Sequence, residues 1–280
     1  MNFIIVNGEK QSTHSSCISA YDRGLTLGHG LFETILIKSG AAPLLDYHWN
    51  RLIISAKRLD IKPPFNFNEF LTMINVLIHD NKLTHSNACI RLTVTDGVSE
   101  RGLLSTSNQS PTYFITSCSL PETSKKPMTA TLVTTRRNEY SQACSIKSIS
   151  CLDNILAKKE AVSKGFDEAF ILNSKLNLAE GAISNVFIVK NGIVYTPPLI
   201  DGAMPGVVRH VLLNKLTLNN IRFKEEPITT KMLYDADEIF ISNALLGIKS
   251  ICKLDNYILY GPFKTTELVS SSFKSQFNYV

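Results

Sequence analysis

Residues 144–151 read CSIKSISC, one lysine among small, neutral and apolar side chains. From Tyr140 to Leu152, Lys147 is the only formal charge. Partial burial at such a place favours the neutral, nucleophilic form of an amine, which can bond covalently to a carbonyl carbon. The alternative is a lysine whose stem covers apolar surface while its ammonium reaches water. A second group is Glu180, in LNLAEGAISNVFIV, between two strand-like runs. If buried it needs a cationic partner; otherwise it is an exposed turn glutamate.

Two further features could hold an anion. Pro205-Gly206 opens a helical pattern in DGAMPGVVRHVLLNKL whose first turn has no acidic residue. Free N–H groups at a helix start suit a phosphate, although Pro-Gly there is also ordinary capping. Arg51, in HWNRLIISAKRL, could grip a phosphate through two bonds or lie on a solvated helix face. An amine nucleophile, an acid for a ring nitrogen and a phosphate cradle are the three fixtures that pyridoxal phosphate chemistry requires.

These residues need elements to position them. FIIVNGEK is an apolar run into Asn7-Gly8, a hairpin signal, and LFETILIKSGAAPLLDYH gives two more strand-like runs around Ser39-Gly40. Trp49, Leu52, Ile53, Ala56 and Leu59 fall at helical spacing, as do Phe70, Met73, Ile74 and Leu77. ACIRLTVTDG and PTYFITSCSL resume strand character. The first part of the chain thus predicts an antiparallel sheet with helices on one side, an α+β pattern. SLPETSKKPM, residues 119–128, interrupts every periodicity and reads as a linker between a unit over 1–118 and a second unit over 129–280. In the second unit a helix over LDNILAKKEAVSKG should end at Gly165, and another should run from Gly206 to about Asn219.

Composition excludes several classes. The chain has 280 residues, 44% hydrophobic and 19% charged, enough to fold with a sizeable core. Its net charge of +5 comes from 29 basic and 24 acidic residues that are scattered, so a nucleic-acid partner is not expected. Six widely spaced cysteines form no C-x-x-C pair or Cys/His metal cluster, which reads as reduced thiols in the cytoplasm with no metal. No run of 18 apolar residues predicts a membrane span.

The order of DRGLTLGHGLFETI, HWNRLIISAKRL, IKSISCLDNILAKKEA, GFDEAFILNSKLNLAEGAISNVFIVKNGIVYTPP, MPGVVRHVLL and DEIFISNALLGIKSI resembles the fold-type IV pyridoxal phosphate enzymes over about residues 2–252. That family includes branched-chain aminotransferases, D-amino acid aminotransferases and 4-amino-4-deoxychorismate lyases. The resemblance implies a D-amino acid aminotransferase-like fold of two domains, with pyridoxal 5′-phosphate in the cleft between them, and a homodimer. It implies that Lys147 carries the cofactor, that Glu180 pairs with the ring nitrogen, and that Arg51, the amides of Val207 and Val208, and Asn243 hold the phosphate.

Within the family, Leu152 stands where branched-chain aminotransferases have a tyrosine. Thr34 in GHGLFETI matches the threonine that lyases place near the reactive lysine, and RLTVTDGVSERGLL resembles the lyase segment whose arginine binds substrate carboxylates, making Arg101 its carrier. The chain also departs from the pattern: His29 replaces an aspartate beside the substrate pocket, Asp96 an arginine, and Ser150 an asparagine. The resemblance leans to the lyase, with a D-amino acid or branched-chain aminotransferase as the alternative and a non-catalytic cofactor-binding protein as a more remote one.

Overall fold

The computed structural model describes residues 2–15, 17–104, 110–121, 124, 126–218 and 221–279. Of the expected linker, residues 122, 123 and 125 lie outside them, as does Asn219 at the expected end of one helix. The chain divides into two compact units, Met1–Glu122 with Lys147–Ser150, and Thr123–Ile146 with Cys151–Val280.

In the first unit, β1 (Phe3–Val6) and β2 (Glu9–Ser12) form a hairpin. Asn7 and Gly8 both take positive φ there, as the tight turn between twisted strands requires. A one-turn helix α1 (Arg23–Leu27) leads into β3 (Gly30–Ile37). Two helices, α2 (Leu45–Arg58) and α3 (Phe67–Asp80), precede β4 (Ala88–Thr95) and β5 (Tyr113–Ser119). The sheet runs β2-β1-β5-β4-β3 and its pairs are antiparallel.

The helices form where the apolar spacing predicts them, with α3 started by a capping box between Asn66 and Glu69. In α2, Ile53 lies outward at 39% exposure while His48 and Ser55 are buried. The run AAPLL forms no strand; Ala41 makes a single bridge to Lys38 and the chain turns into α2. Pro43 has no N–H to give a sheet ladder.

The second unit contains β6 (Met128–Arg137), α4 (Leu152–Ser163), β7 (Glu168–Asn173), β8 (Asn177–Gly181), β9 (Asn185–Lys190) and β10 (Ile193–Thr196). After these come α5 (Val207–Asn214), β11 (Arg222–Glu225), β12 (Ile228–Thr229), α6 (Thr230–Tyr234), β13 (Glu238–Asn243), β14 (Gly247–Leu254), β15 (Tyr257–Ile258) and α7 (Lys264–Phe277). The strands join in the order β11-β10-β9-β13-β14-β6-β7-β8-β12, with β15 on β14. Parallel pairing at β10–β11, β14–β6 and β6–β7 makes this sheet mixed.

The centre of this sheet is sealed by Phe170, Leu178, Val186, Ile188, Ile239, Ile241 and Ile251. Ala157 and Ala161 bring α4 close to Ala169 and Ile171. Gly165, at φ +81°, follows the last turn of α4, as its position predicts. By contrast α5 stops at Asn214, short of the expected length.

Both units are α+β. Residues Lys147–Ser150, expected within the 129–280 unit, group with the first unit for a physical reason. They bridge to the free edge of β3, where Phe32 N–H donates to Lys147 O at 3.0 Å and Ile149 N–H to Gly30 O at 3.1 Å. Among the described residues no helix is long and apolar enough to cross a membrane.

Candidate active site

The bridge to β3 decides where Lys147 stands. Leu31 pairs with Ser148, so Lys147 opposes Phe32 and shares its face of the strand. The ammonium lies 4.3 Å from the centroid of the Phe32 ring, and the Arg91 guanidinium lies 3.9 Å from the same centroid. Thr34 is two residues further along β3, hence on that same face, directly across from Arg91. The half-buried Lys147 and Thr34 are therefore brought to one surface. Arg91, which the sequence reading did not single out, joins them by register; only strand pairing could have revealed it.

The intervening residue, Glu33, faces the side that α2 covers. Its carboxylate accepts from Arg51 Nε at 2.8 Å and Nη2 at 2.6 Å, and His48 Nδ1 lies 2.7 Å from Oε2. A bidentate pair fixes the plane of the Arg51 guanidinium. A lone carboxylate in the apolar run GLFETI, and a histidine one helical turn before Arg51, were the available signals for this cluster.

Burial alone would raise the Glu33 pKa, but the Arg51 charge and the hydrogen bonds from Arg51 and His48 outweigh it and hold the carboxyl at about 2. Burial pushes His48 down, against the bond and charge of Glu33; Arg51 and Lys147 add to the lowering. The unfolded chain takes up both protons more readily than the folded one, so acid destabilises the fold. The His48 share declines below about pH 6.5, and the Glu33 share declines as pH falls from about 4.5 to about 2. Glu33→Gln is expected to flatten the stability profile in the lower window and to cost about 3–5 kcal/mol at pH 7, because it strands a buried cation. Urea unfolding between pH 3 and pH 7 measures both; a wild-type slope in the variant would refute the assignment.

The two family-atypical residues meet. His29 Nδ1 lies 3.3 Å from Asp96 Oδ2, and Arg23 Nε lies 2.9 Å from the same oxygen. The two departures from the family pattern are thus in contact with each other, through the oxygen that also meets Arg23. Arg101 lies exposed a few residues further on.

In the second unit, Glu180 lies in β8 and not in a turn, and is 4% exposed. Arg137 Nη2 donates to its Oε1, and Met204 N–H donates to its Oε2 at 2.8 Å. Asn154 supports the arrangement, accepting from Arg137 at 3.4 Å and donating to Ala182 O at 2.8 Å. The cation that Glu180 needed is therefore Arg137, a residue the sequence reading left among the scattered charges.

Met204 leads directly into α5. Val207 and Val208, both buried, form its first turn, with no acidic residue and no side-chain cap at Gly206. A Cβ at Gly206 would meet Asn185 Oδ1 at 1.9 Å, so glycine is required where Asn185 ties down Met204 O at 2.8 Å. Asn243 donates to Ile183 O at 3.2 Å and accepts from the amides of Leu245 and Leu246. One end of this unit therefore holds a buried carboxylate, tied to the loop that opens a helix with uncapped amides.

Comparison with known proteins bears on these arrangements. The chain is 34% identical over 258 residues to a putative branched-chain-amino-acid aminotransferase of Methanocaldococcus jannaschii, covering 91% of this chain and 89% of the relative. It is 30% identical over 259 residues to the aminodeoxychorismate lyase of Bacillus subtilis, covering 92% and 88%. The branched-chain amino acid aminotransferase of Escherichia coli shares the fold, with TM-score 0.90 at 23% identity over 99% of this chain and 94% of that one. So does a hypothetical aminotransferase from Mycobacterium tuberculosis in a PLP-bound form, with TM-score 0.84 at 19% identity over 98% and 99%. Residues 30–254, from the first residue of β3 to the last of β14, match one family as a whole, and the chain belongs to it: amino-transferase class IV.

Proposed function

We propose that this chain is a pyridoxal 5′-phosphate enzyme that converts 4-amino-4-deoxychorismate to 4-aminobenzoate and pyruvate. The observation that carries the reading is the placement of Thr34 on the face of β3 that also receives Lys147. Expelling an enolpyruvyl group calls for a proton at the leaving oxygen as well as an amine that removes the ring C4 proton, whereas a transaminase needs only the amine. The similarity to the Bacillus subtilis lyase supports the same choice.

The residues present fit the cofactor. Uncapped amides at the start of α5 suit a phosphate, and a buried carboxylate held by a guanidinium suits a protonated ring nitrogen. When bound, pyridoxal phosphate supplies an electron sink for the pair released as the C4–H bond breaks. Glu180 would hold the proton on the ring nitrogen; Arg51, the amides of Val207 and Val208, and Asn243 would hold the phosphate. Lys147 Nζ takes the C4 proton. The bond from the ring to the enolpyruvyl oxygen breaks with its electron pair on that oxygen, and the Thr34 hydroxyl passes it a proton. Arg101 holds a substrate carboxylate, with His29 near it. The working unit is a homodimer, in which a second copy covers exposed apolar side chains such as Tyr21 and Leu25. Six free cysteines favour a reducing cytoplasm.

Pyruvate and 4-aminobenzoate release from 4-amino-4-deoxychorismate tests the reading, beside D- and L-amino acids offered with 2-oxoglutarate. Thr34→Val is expected to slow elimination by about a hundredfold. An unchanged rate removes Thr34 from the mechanism. The similarity to the Methanocaldococcus jannaschii relative favours a second reading, branched-chain transamination. Amino transfer from leucine without any pyruvate release would establish it in place of the first.

A further inference from the structure

We propose that Arg23 is a positioning residue whose buried guanidinium holds the chain from Asp96 to Leu103 in the shape that presents Arg101 to an anionic group of the substrate. The inference rests on the role given to Arg101 above. The Arg23 side chain is 3% exposed, and its three nitrogens go to three places on one short segment. Nη1 donates to Gly102 O at 2.9 Å, Nη2 to Leu103 O at 2.5 Å, and Nε makes its ion-pair contact with Asp96.

The backbone adds to this hold nearer the start of the segment. Arg23 N–H donates to Gly97 O at 2.8 Å, Asp22 bridges Val98, and Ser99 N–H donates to Tyr21 O at 3.3 Å. Past Ser99 the apolar contribution ends: Leu103 is 83% exposed and Leu104 is 90% exposed. Hydrophobic burial therefore does not hold the stretch that carries Arg101, and the side-chain hydrogen bonds to the carbonyls of Gly102 and Leu103 both come from Arg23. A buried guanidinium is expensive to desolvate, and an apolar side chain would serve if the place needed only filling. What the guanidinium adds is a rigid fork able to fix two carbonyls at once while its charge lies beside a carboxylate.

Arg101 also provides the probe, because trypsin cuts after arginine and the sequence offers no other lysine or arginine between residue 101 and Lys125. The experiment takes cofactor-loaded wild type, Arg23→Gln and Arg23→Lys, and measures cleavage of the 101–102 bond by mass spectrometry together with kcat and KM for 4-amino-4-deoxychorismate. Arg23→Gln is expected to raise the cleavage rate about tenfold or more, since cleavage follows the population of the opened segment. It should raise KM about tenfold with kcat within about threefold, the pattern of lost substrate binding. Lysine keeps the charge beside Asp96 but cannot span both carbonyls, so Arg23→Lys falls between the two and stands in if the glutamine variant does not fold. Wild-type cleavage and KM in a folded variant overturn the proposal, as does a fall in kcat with KM unchanged. Arg101→Gln separates the two layers. If it leaves KM unchanged, the substrate role of Arg101 fails and the purpose assigned to Arg23 fails with it, while raised cleavage in Arg23→Gln still establishes the hold on the segment.

Discussion

Replacing Lys147 with alanine is expected to lower turnover by about four orders of magnitude or more, because the role proposed for its amine is both to anchor the cofactor and to move the proton. The structural cost should be small by comparison. The backbone bond from Phe32 N–H to Lys147 O does not involve the side chain, so the bridge to β3 survives the substitution. What the fold loses is the packing of the stem and the ammonium over the Phe32 ring, worth about 1 kcal/mol at a half-buried site. A folded, inactive protein is therefore the expected result, checked by 4-aminobenzoate release and by the visible absorbance that stays with the protein through gel filtration. Lys147→Arg keeps a cation over Phe32 without a comparable nucleophile and should be equally inactive. Either variant turning over within about tenfold of wild type would remove Lys147 from the chemistry.

Glu180→Gln should be the next most damaging change, and it should act on activity and stability together. An amide cannot balance a protonated ring nitrogen, so kcat is expected to fall by about a hundred- to a thousandfold. Arg137, 13% exposed at its side chain, would also lose its carboxylate partner, at a cost of about 3 kcal/mol or more. These two consequences can be separated. Adding Arg137→Gln to Glu180→Gln removes the stranded charge and should recover part of the stability without recovering activity. Thermal unfolding and steady-state kinetics on the two single variants and the double variant complete the cycle. Wild-type kcat in Glu180→Gln would defeat the role given to it, whatever the stability data show.

The candidate site was legible in the chain to different depths. Lys147 stood out because its neighbours are quiet, and the helices that frame the first unit followed from apolar spacing that the structure reproduces in α2 and α3. Glu180 could be recognised as a carboxylate in need of a cation, but Arg137 lies 43 residues earlier, and no local pattern ties the two together. The same holds for Glu33 with Arg51 and for His29 with Asp96, whose side chains meet across long stretches of chain. His29 and Asp96 looked like two separate departures from the family pattern; in the fold their side chains are in contact.

By itself the sequence determined the α+β character, the placement of most helices and strands, and membership of its family, and it singled out Lys147 as a candidate, because these depend on residue type, local periodicity and the order of segments. Tertiary structure alone decided which face of β3 receives Lys147, that Thr34 and Arg91 share that face, that Glu33 turns to the other side to hold Arg51, and that Arg137 is the partner of Glu180. The reason is the two-residue period of a strand. A shift of register by one residue would move every side chain of the added segment to the opposite face, and that register is set by long-range hydrogen bonds that no short stretch of sequence contains.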